Sequence, residues 1–347
     1  MKIAVLGGGN GCYAAAADLA EAGHEVRFWR RDGAAFAPTL QAQAIDLKDV
    51  RGTRTIKLAK ATTDLAEALA GAALIVIATP AFAQEDIARA MAPHLVDGQV
   101  VYLPPGTFGT FVMARIVRQT GNNAKVAWAE TGTLPWLCRK HGPNLIAVSV
   151  RATRLPTGIF PLSMAAHALP ILKAAFASVE PCGNGLSGAL MNAGPLEHFD
   201  RWDIHNEGTQ PSIRRVTDAL DAERVATREA LGYGAPHFPL SDHYREDGDE
   251  WMYGRKSHEA LTDSGDWREH IVLTEHRYMT EDVAYGLALL VSAADRSGTP
   301  APTATGLLAI GSAITGRDLR KTGRTLETLG LAGLSKAEFA ALMRDGL

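Results

Sequence analysis

The sequence predicts an α/β amino-terminal domain, a doubly wound parallel sheet, followed by an all-α carboxy-terminal domain. Three observations carry this. Through the first half, short apolar and β-branched runs alternate with helical patterns. A glycine-rich turn follows the first of those runs. Beyond Gly183 the strand-like runs give way to long helical segments. At 347 residues the chain has room for about two domains, at roughly 150 residues each.

Strands are expected at 2–7, 24–29, 74–79, 99–104 and 125–130. The first, third and fourth are nearly continuous in apolar residues, as strands of a parallel sheet covered on both faces must be. Helical patterns lie between them, at 10–22, 64–70, 82–92 and 108–120. Strand, helix and strand in repetition imply the doubly wound sheet. A further run at 144–150 is expected to extend that sheet, with a helix near 161–177. The boundary is placed near 180–185, dividing a dinucleotide-binding domain (1–183) from a helical substrate-binding and catalytic domain (184–347). In the second half helices are expected at 186–198, 211–231, 279–297, 301–315 and 335–344. The second of these has Pro211 near its start and Gly232 just past its end, the usual asymmetry of helix termini. In the third, Val283, Leu287, Leu290, Val291 and Ala294 fall on one apolar stripe. Residues 242–270 are polar, charged and aromatic, and are read as a loop that helps to cover the site.

Composition narrows the function. Net charge is −3 and no Lys/Arg run is clustered, so no nucleic-acid partner is expected. The longest apolar runs fall short of about 18 residues, so no membrane span is expected, and the first residues lead directly into a strand pattern, leaving no signal peptide. Three widely spaced cysteines suit a reducing, cytoplasmic setting and form neither a disulfide framework nor a zinc site. No metal-ligand spacing occurs, and the histidines outside the candidate site are scattered. A homodimer through the helical second domain is the expected assembly, although no exposed heptad marks one here.

The stretch "KIAVLGGGNGCYAAAADLAEAGHEV" sets Gly7, Gly9 and Gly11 between a strand and a small-residue helix. In the fingerprint G-x-G-x-x-G the first glycine makes the turn and the second admits a pyrophosphate. The third keeps helix and strand close. Gly7 and Gly9 fit, while Cys12 holds the third position, a departure that the small residues Ala14 to Ala17 make tolerable. The pyrophosphate is expected on the free N–H groups of the turn and helix start, at Gly7, Gly9, Asn10 and Gly11. An NAD site carries an acid at the end of the second strand. Here Arg30 stands in that place, followed by Arg31 and Asp32. A guanidinium suits a 2′-phosphate, so NADP(H) is the preferred cofactor, with NAD(H) possible if Asp32 were the residue facing the ribose. Thr79 and Pro80, and Pro105 and Gly106, follow the next two strands and are expected to line the cofactor at the carboxyl edge of the sheet.

In the second half, "LMNAGPLEHFDRWDIHNEG" carries Asn192 and His198. His198 is the candidate general acid/base, because imidazole can give and take a proton near neutral pH. Asp282 could accept from its other ring nitrogen, and Arg277 could clamp a substrate carboxylate. Cation, imidazole and buried acid are what reduction of a 2-oxo acid or its imine requires. The plainer alternative also stands: Glu281 and Asp282 would favour a helix start simply by complementing its dipole. Five residues separate Arg277 from Asp282, so on an α-helix they would not share a face, and Arg277 is expected at or before the helix start. Gly286 is expected to make room for a neighbouring helix.

The chain resembles the octopine/nopaline (opine) dehydrogenases essentially from end to end. The likeness rests on "VLGGGNG", "NAGPLEH", "EGTQPSIRRVTDALDAERVA", "RYMTEDVAYGL" and "DLRKTGRTLETLGLAGLS", of which "RYMTEDVAYGL" is the most specific. The resemblance implies that His198 and Asp282 form the catalytic pair, that Arg277 grips the oxo-acid carboxylate, and that Asn192 lies beside the substrate. It implies NAD(P)H-dependent condensation of an amino acid with a 2-oxo acid such as pyruvate. Two departures stand out, Cys12 at the third glycine and Arg30 at the acid position. The charged stretch after His198 leaves the amino donor open. Two other readings compete: a simple keto-acid or sugar-phosphate ketone reductase like ketopantoate reductase or glycerol-3-phosphate dehydrogenase, and a non-catalytic dinucleotide-binding regulator. The first relies on a helical-domain lysine, and Lys256, Lys321 and Lys336 match no such motif.

Overall fold

The alternating runs of the first half fold as the pattern requires. In a computed structural model, which describes residues 1–191, 202–203, 211–243, 268–269 and 271–347, β1 (Lys2–Leu6) pairs in parallel with β2 (Glu25–Trp29) on one side and β6 (Leu74–Val76) on the other. The sheet has eight strands in the order β12-β11-β8-β7-β6-β1-β2-β5. The others are β5 (Lys60–Thr62), β7 (Val100–Leu103), β8 (Ala127–Thr131), β11 (Leu155–Phe160) and β12 (Val179–Asn184). All neighbours run parallel except β11 against β8. Helices α1 (Asn10–Glu21), α2 (Gly33–Ala42), α3 (Leu65–Leu69), α4 (Gln84–Met91), α5 (Gly109–Gln119), α6 (Ala165–Ala175) and α7 (Gly185–Ala189) flank the strands or follow them. Side chains of β1 divide between two buried clusters. Ile3 and Val5 join Tyr13 and the alanines of α1, whereas Ala4 and Leu6 join the opposite face. A strand buried on both sides has no polar face to show, which is why its sequence reads as continuous.

The run 144–150, expected to extend this sheet, lies elsewhere. It forms β10 (Leu145–Arg151) in a separate four-stranded sheet, ordered β4-β3-β10-β9. Its partners β3 (Ala44–Asp49), β4 (Gly52–Lys57) and β9 (Trp136–Lys140) carry no long apolar run. The place beside β8 is taken by β11, "LPTGIF", all six residues of which are buried. Pro156 and Gly158 in β11, and Pro181 and Gly183 in β12, are residues that normally argue against a strand, and they hid both. The second sheet is tied to α1 by charge. Arg151 meets Asp18 at 2.6 Å and Asp49 at 2.9 Å. Arg54 meets Glu21 at 2.5 Å and Asp49 at 2.7 Å, and these contacts hold the Glu21 carboxyl down at about 2.

The second half is helical. α8 (Pro211–Ala230) covers the expected 211–231. α9 (Tyr278–Leu287) is a π-helix that continues directly as α-helix α10 (Ala288–Ser297). α11 (Pro302–Thr315), α12 (Leu319–Thr322) and α13 (Lys336–Asp345) complete it. All five residues of the predicted stripe are buried, but so are Met279, Ala284, Ala288, Leu289 and Ala293. The α9–α10 helix is therefore enclosed on more than one side. Its apolar residues join the buried cluster of Ala4 and Leu6, so the helical half packs directly upon one face of the main sheet. No helix among the described residues is long and apolar enough to cross a membrane.

Candidate active site

The glycine turn is built by close packing on three sides and open on the fourth. Gly7 has φ +124, and a Cβ there would fall 2.5 Å from Thr79 Cγ2. A Cβ on Gly11 would fall 2.6 Å from Leu134 and 3.0 Å from Ala78. At Gly9 a Cβ would meet open space, and no side chain caps the helix that begins there. Free N–H groups of a first helical turn beside an unobstructed approach fit a pyrophosphate. Cys12, at the third fingerprint position, sits 3.4 Å from the Leu6 carbonyl and 3.3 Å from that of Ala78. Burial pushes its thiol up to about 11, so it is a neutral packing residue that joins the ends of β1 and β6.

Pairing of Leu6 with Trp29 fixes the register of β2 and makes Arg30 the first residue beyond it. The Arg30 side chain folds back over the turn, where a Cβ on Gly8 would come within 2.5 Å of its Nε. Arg31 is exposed and turned to Asp86 of α4 at 4.0 Å. Asp32 caps α2, accepting from the Ala35 amide at 3.0 Å. Of these three neighbours, Arg30 is the one that faces the glycine turn.

The two edge loops meet a buried polar network that spacing did not reveal. In the loop after β7, which holds Pro105 and Gly106, Thr107 (φ 52) and Phe108 (φ 60) are left-handed, a costly geometry for a β-branched or bulky residue. Arg324, almost fully buried, donates to the Thr107 carbonyl at 2.7 Å, to Gln84 Oε1 at 2.9 Å and to the Ala81 carbonyl at 3.4 Å. Gln84 in turn donates to the Gly106 carbonyl at 2.9 Å. In the loop after β6, beyond Thr79 and Pro80, the Ala81 amide donates to Glu281 Oε1 of α9 at 3.1 Å. Both backbone groups of Ala81 are thus held by the helical half. Glu130, the fourth residue of β8, lies beneath the Gly106 loop with no exposed surface. The Thr110 hydroxyl donates to its Oε1, its Oε2 has no partner, and burial pushes its carboxyl up to about 8. A Cβ on Gly106 would overlap that Oε2. An arginine in a polar segment and a glutamate near the end of a strand have no distinctive spacing, so neither Arg324 nor Glu130 could be singled out from sequence.

Arg277 immediately precedes α9, as expected. α9 closes i→i+5 hydrogen bonds, a wider winding than the α-helix expected, and the acid within ion-pair distance of Arg277 is Glu281, four residues on. Asp282 is half-buried. Burial raises its carboxyl to about 7, opposed by the Arg277 charge and assisted by Glu281. Arg277 Nη2 lies 3.8 Å from Glu281 Oε2. Glu281 is more than a dipole partner, since its carboxylate bonds to a loop of the other half. Gly286 makes no room: a Cβ there would meet open space. The close approach comes instead at Gly311 of α11, where a Cβ would lie 2.8 Å from Val283. His198 and Asn192 lie outside the described residues, as does most of 242–270.

Comparison with known proteins agrees with this build. Residues 184–315 match the family model for the NAD/NADP octopine/nopaline dehydrogenase α-helical domain, and residues 2–103 match that for the NAD-dependent glycerol-3-phosphate dehydrogenase N-terminus. The opine dehydrogenase of Arthrobacter sp. (strain 1C) is 29% identical, over 96% of each chain. A solved octopine dehydrogenase in complex with NADH and agmatine superposes with a TM-score of 0.71 at 20% identity, covering 99% of this chain and 98% of that one. An NADP+-bound yersinopine dehydrogenase superposes with a TM-score of 0.60 at 14% identity, covering 100% of this chain and 98% of that one. The dinucleotide turn, the helical half and these end-to-end likenesses together make the chain similar to the octopine/nopaline dehydrogenases, whose α-helical domain model it matches over residues 184–315.

Proposed function

We propose that this chain is an NAD(P)H-dependent opine dehydrogenase. It condenses an amino acid with a 2-oxo acid such as pyruvate and reduces the resulting imine to a secondary amine. The observation that carries this reading is the π-helix. Arg277 stands at its start, Asp282 lies in its first turn with a raised carboxyl, and Glu281 of the same turn accepts from the loop following β6. This joins a candidate carboxylate clamp and an acid of raised pKa to the edge loop expected to line the cofactor, which supports the reading.

The roles follow from chemistry. The glycine turn at Gly7, Gly9, Asn10 and Gly11 would hold the pyrophosphate, with Thr79, Pro80, Pro105 and Gly106 along the cofactor's path. Bound nicotinamide supplies the hydride. Arg277 fixes the oxo-acid carboxylate with a forked pair of donors. His198, placed by the family resemblance, moves the proton at the reacting carbon's heteroatom, with Asn192 beside the substrate. Asp282 in its anionic form stabilises the imidazolium. Arg30 at the end of β2 favours NADP(H), whereas Arg31 is engaged with Asp86. A solved relative carries NADP+ and another NADH, so both cofactors occur on this build. Residues 1–183 then serve the dinucleotide and 184–347 the substrate. A lysine-based ketone reduction finds little support: Lys321 is exposed and paired with Asp318 at 3.1 Å.

The test is NADPH oxidation with amino acids screened against pyruvate, glyoxylate and 2-oxoglutarate. Consumption that requires both an oxo acid and an amine is expected. Equal consumption with oxo acid alone would make the protein a simple keto-acid reductase, and tight NADPH binding without turnover on any pair would make it a regulator.

A further inference from the structure

We infer that Lys140, together with Arg30, forms the seat of the cofactor's adenosine 2′-phosphate, and that Lys140 is its second cation. The inference rests on the NADP(H) reading above. Lys140 is the last residue of β9, in a sheet separate from the one that carries the glycine turn. Its backbone amide donates to Asn10 Oδ1 at 3.0 Å, which pins the end of β9 to the first residue of α1. Its ammonium sits 3.7 Å from the centroid of the Tyr13 ring. Tyr13 is fully buried, edge-on to Phe28 of β2 at 5.0 Å, with its hydroxyl 3.0 Å from Thr39 of α2. The ammonium therefore stands over the crevice between the start of α1, the end of β2 and α2. Arg30 reaches the same crevice from the other side, over Gly8, and is anchored by donating to the Ala35 carbonyl at 3.1 Å.

Among the described residues neither cation has a carboxylate within ion-pair distance, and the nearby Asp32 is engaged as the α2 cap. Two cations drawn together without an anion repel. Burial and the Arg30 charge both hold the Lys140 ammonium below its ordinary pKa. Packing against Tyr13 accounts for one of them by cation–π attraction, but not for a second beside it. A dianion between the two relieves the repulsion. The pyrophosphate belongs at the N-terminus of α1, whereas this crevice lies at the end of β2, where the adenosine ribose of a dinucleotide is held. The anion that fits is therefore the 2′-phosphate.

Calorimetric titration tests this without turnover. NADPH, NADH, adenosine 2′,5′-bisphosphate and adenosine 5′-monophosphate are each titrated into wild type, Lys140→Met, Lys140→Arg and Arg30→Met. Methionine keeps the stem and its packing on Tyr13 while losing the charge. Lys140→Met should weaken NADPH and the bisphosphate on the order of 10-fold, as one charge-assisted contact implies. NADH and the monophosphate should change little, and Lys140→Arg should restore most of the loss. Equal weakening of NADPH and NADH would make Lys140 a pyrophosphate contact and overturn the inference. So would NADPH affinity that Lys140→Met leaves intact while Arg30→Met lowers it. A wild-type preference for NADH would instead remove the NADP(H) reading itself, whatever the variants do.

Discussion

Glu130→Gln isolates the electrostatics of the sheet edge in one measurement. The Glu130 carboxyl is fully enclosed and burial raises it from 4.5 to about 8, so the folded protein keeps a proton that the unfolded chain releases. Between those values the native state binds the extra proton, and stability must fall as pH rises, by about 1.36 kcal/mol per pH unit. Glutamine has the same shape and never ionises. It can accept the Thr110 hydroxyl at Oε1 and leaves the other terminus unpartnered, as the protonated acid does. The stability of Glu130→Gln relative to wild type should therefore be near zero at acid pH. It should grow by about 2.5 kcal/mol from about pH 5 to about pH 7, and level off above about pH 8. Urea unfolding of both proteins across this range gives the difference, and titrations common to both cancel. A difference that is flat with pH, or that turns against the glutamine variant as pH rises, would show that a cation compensates Glu130 and that burial does not govern it.

Asp282→Asn should lower kcat by about 100-fold while leaving NADPH affinity within about twofold. Because the anion is the working form and burial raises the carboxyl to about 7, kcat/KM for opine oxidation should drop as pH falls through about 7. The asparagine variant should lose that limb, and a limb that persists unchanged assigns it to another group. Arg277→Ala should raise the oxo-acid KM about 10- to 100-fold, the worth of a charged hydrogen bond, with little effect on the amino-acid KM. An unchanged oxo-acid KM removes Arg277 from carboxylate binding. Arg324→Met leaves the Thr107 and Ala81 carbonyls and Gln84 without their donor, at a cost of about 3 kcal/mol. Thermal unfolding should show a lowered Tm, and a Tm equal to wild type would mean that the strained Thr107–Phe108 turn holds itself.

The Rossmann half was legible where burial is complete. The strands β1, β6 and β7 show as continuous apolar runs because no face of theirs meets water, and the glycine turn shows because Gly7 has no room for a side chain. What escaped was of two kinds. β11 and β12 carry prolines and glycines that normally exclude a strand, and β3, β4 and β9 are too polar to show a core face. Arg277 and Asp282 were legible as candidate residues, while the π-winding of the helix that carries Asp282 was not. An α-helix and a π-helix have the same composition, and periodicity read at 3.6 residues per turn does not distinguish them. Glu281, Arg324 and Lys140 escaped because their partners, Ala81, Thr107 and the Asn10 side chain, are far away in sequence.

The first turn of α9 carries two adjacent acids with different surroundings. On an α-helix Glu281 would stack over Arg277 and Asp282 would lie about 100° farther round, so one acid would take the arginine and the other would face elsewhere. In α9 Glu281 does both tasks on that side, lying 3.8 Å from Arg277 through Oε2 and accepting from the Ala81 amide at Oε1, while Asp282 is the next residue round. Under the proposed function Asp282 would serve the substrate side, while Glu281 joins α9 to the loop along which the nicotinamide would lie. Hydride transfer depends on donor and acceptor being held in near-contact geometry. Apolar packing of α9–α10 against the sheet holds the two halves together, but it is not directional. The hydrogen bonds from Glu281 and Arg324 to the two backbone groups of Ala81 supply direction. They fix the loop relative to α9, and under the proposed function those two buried side chains would help to align cofactor with substrate.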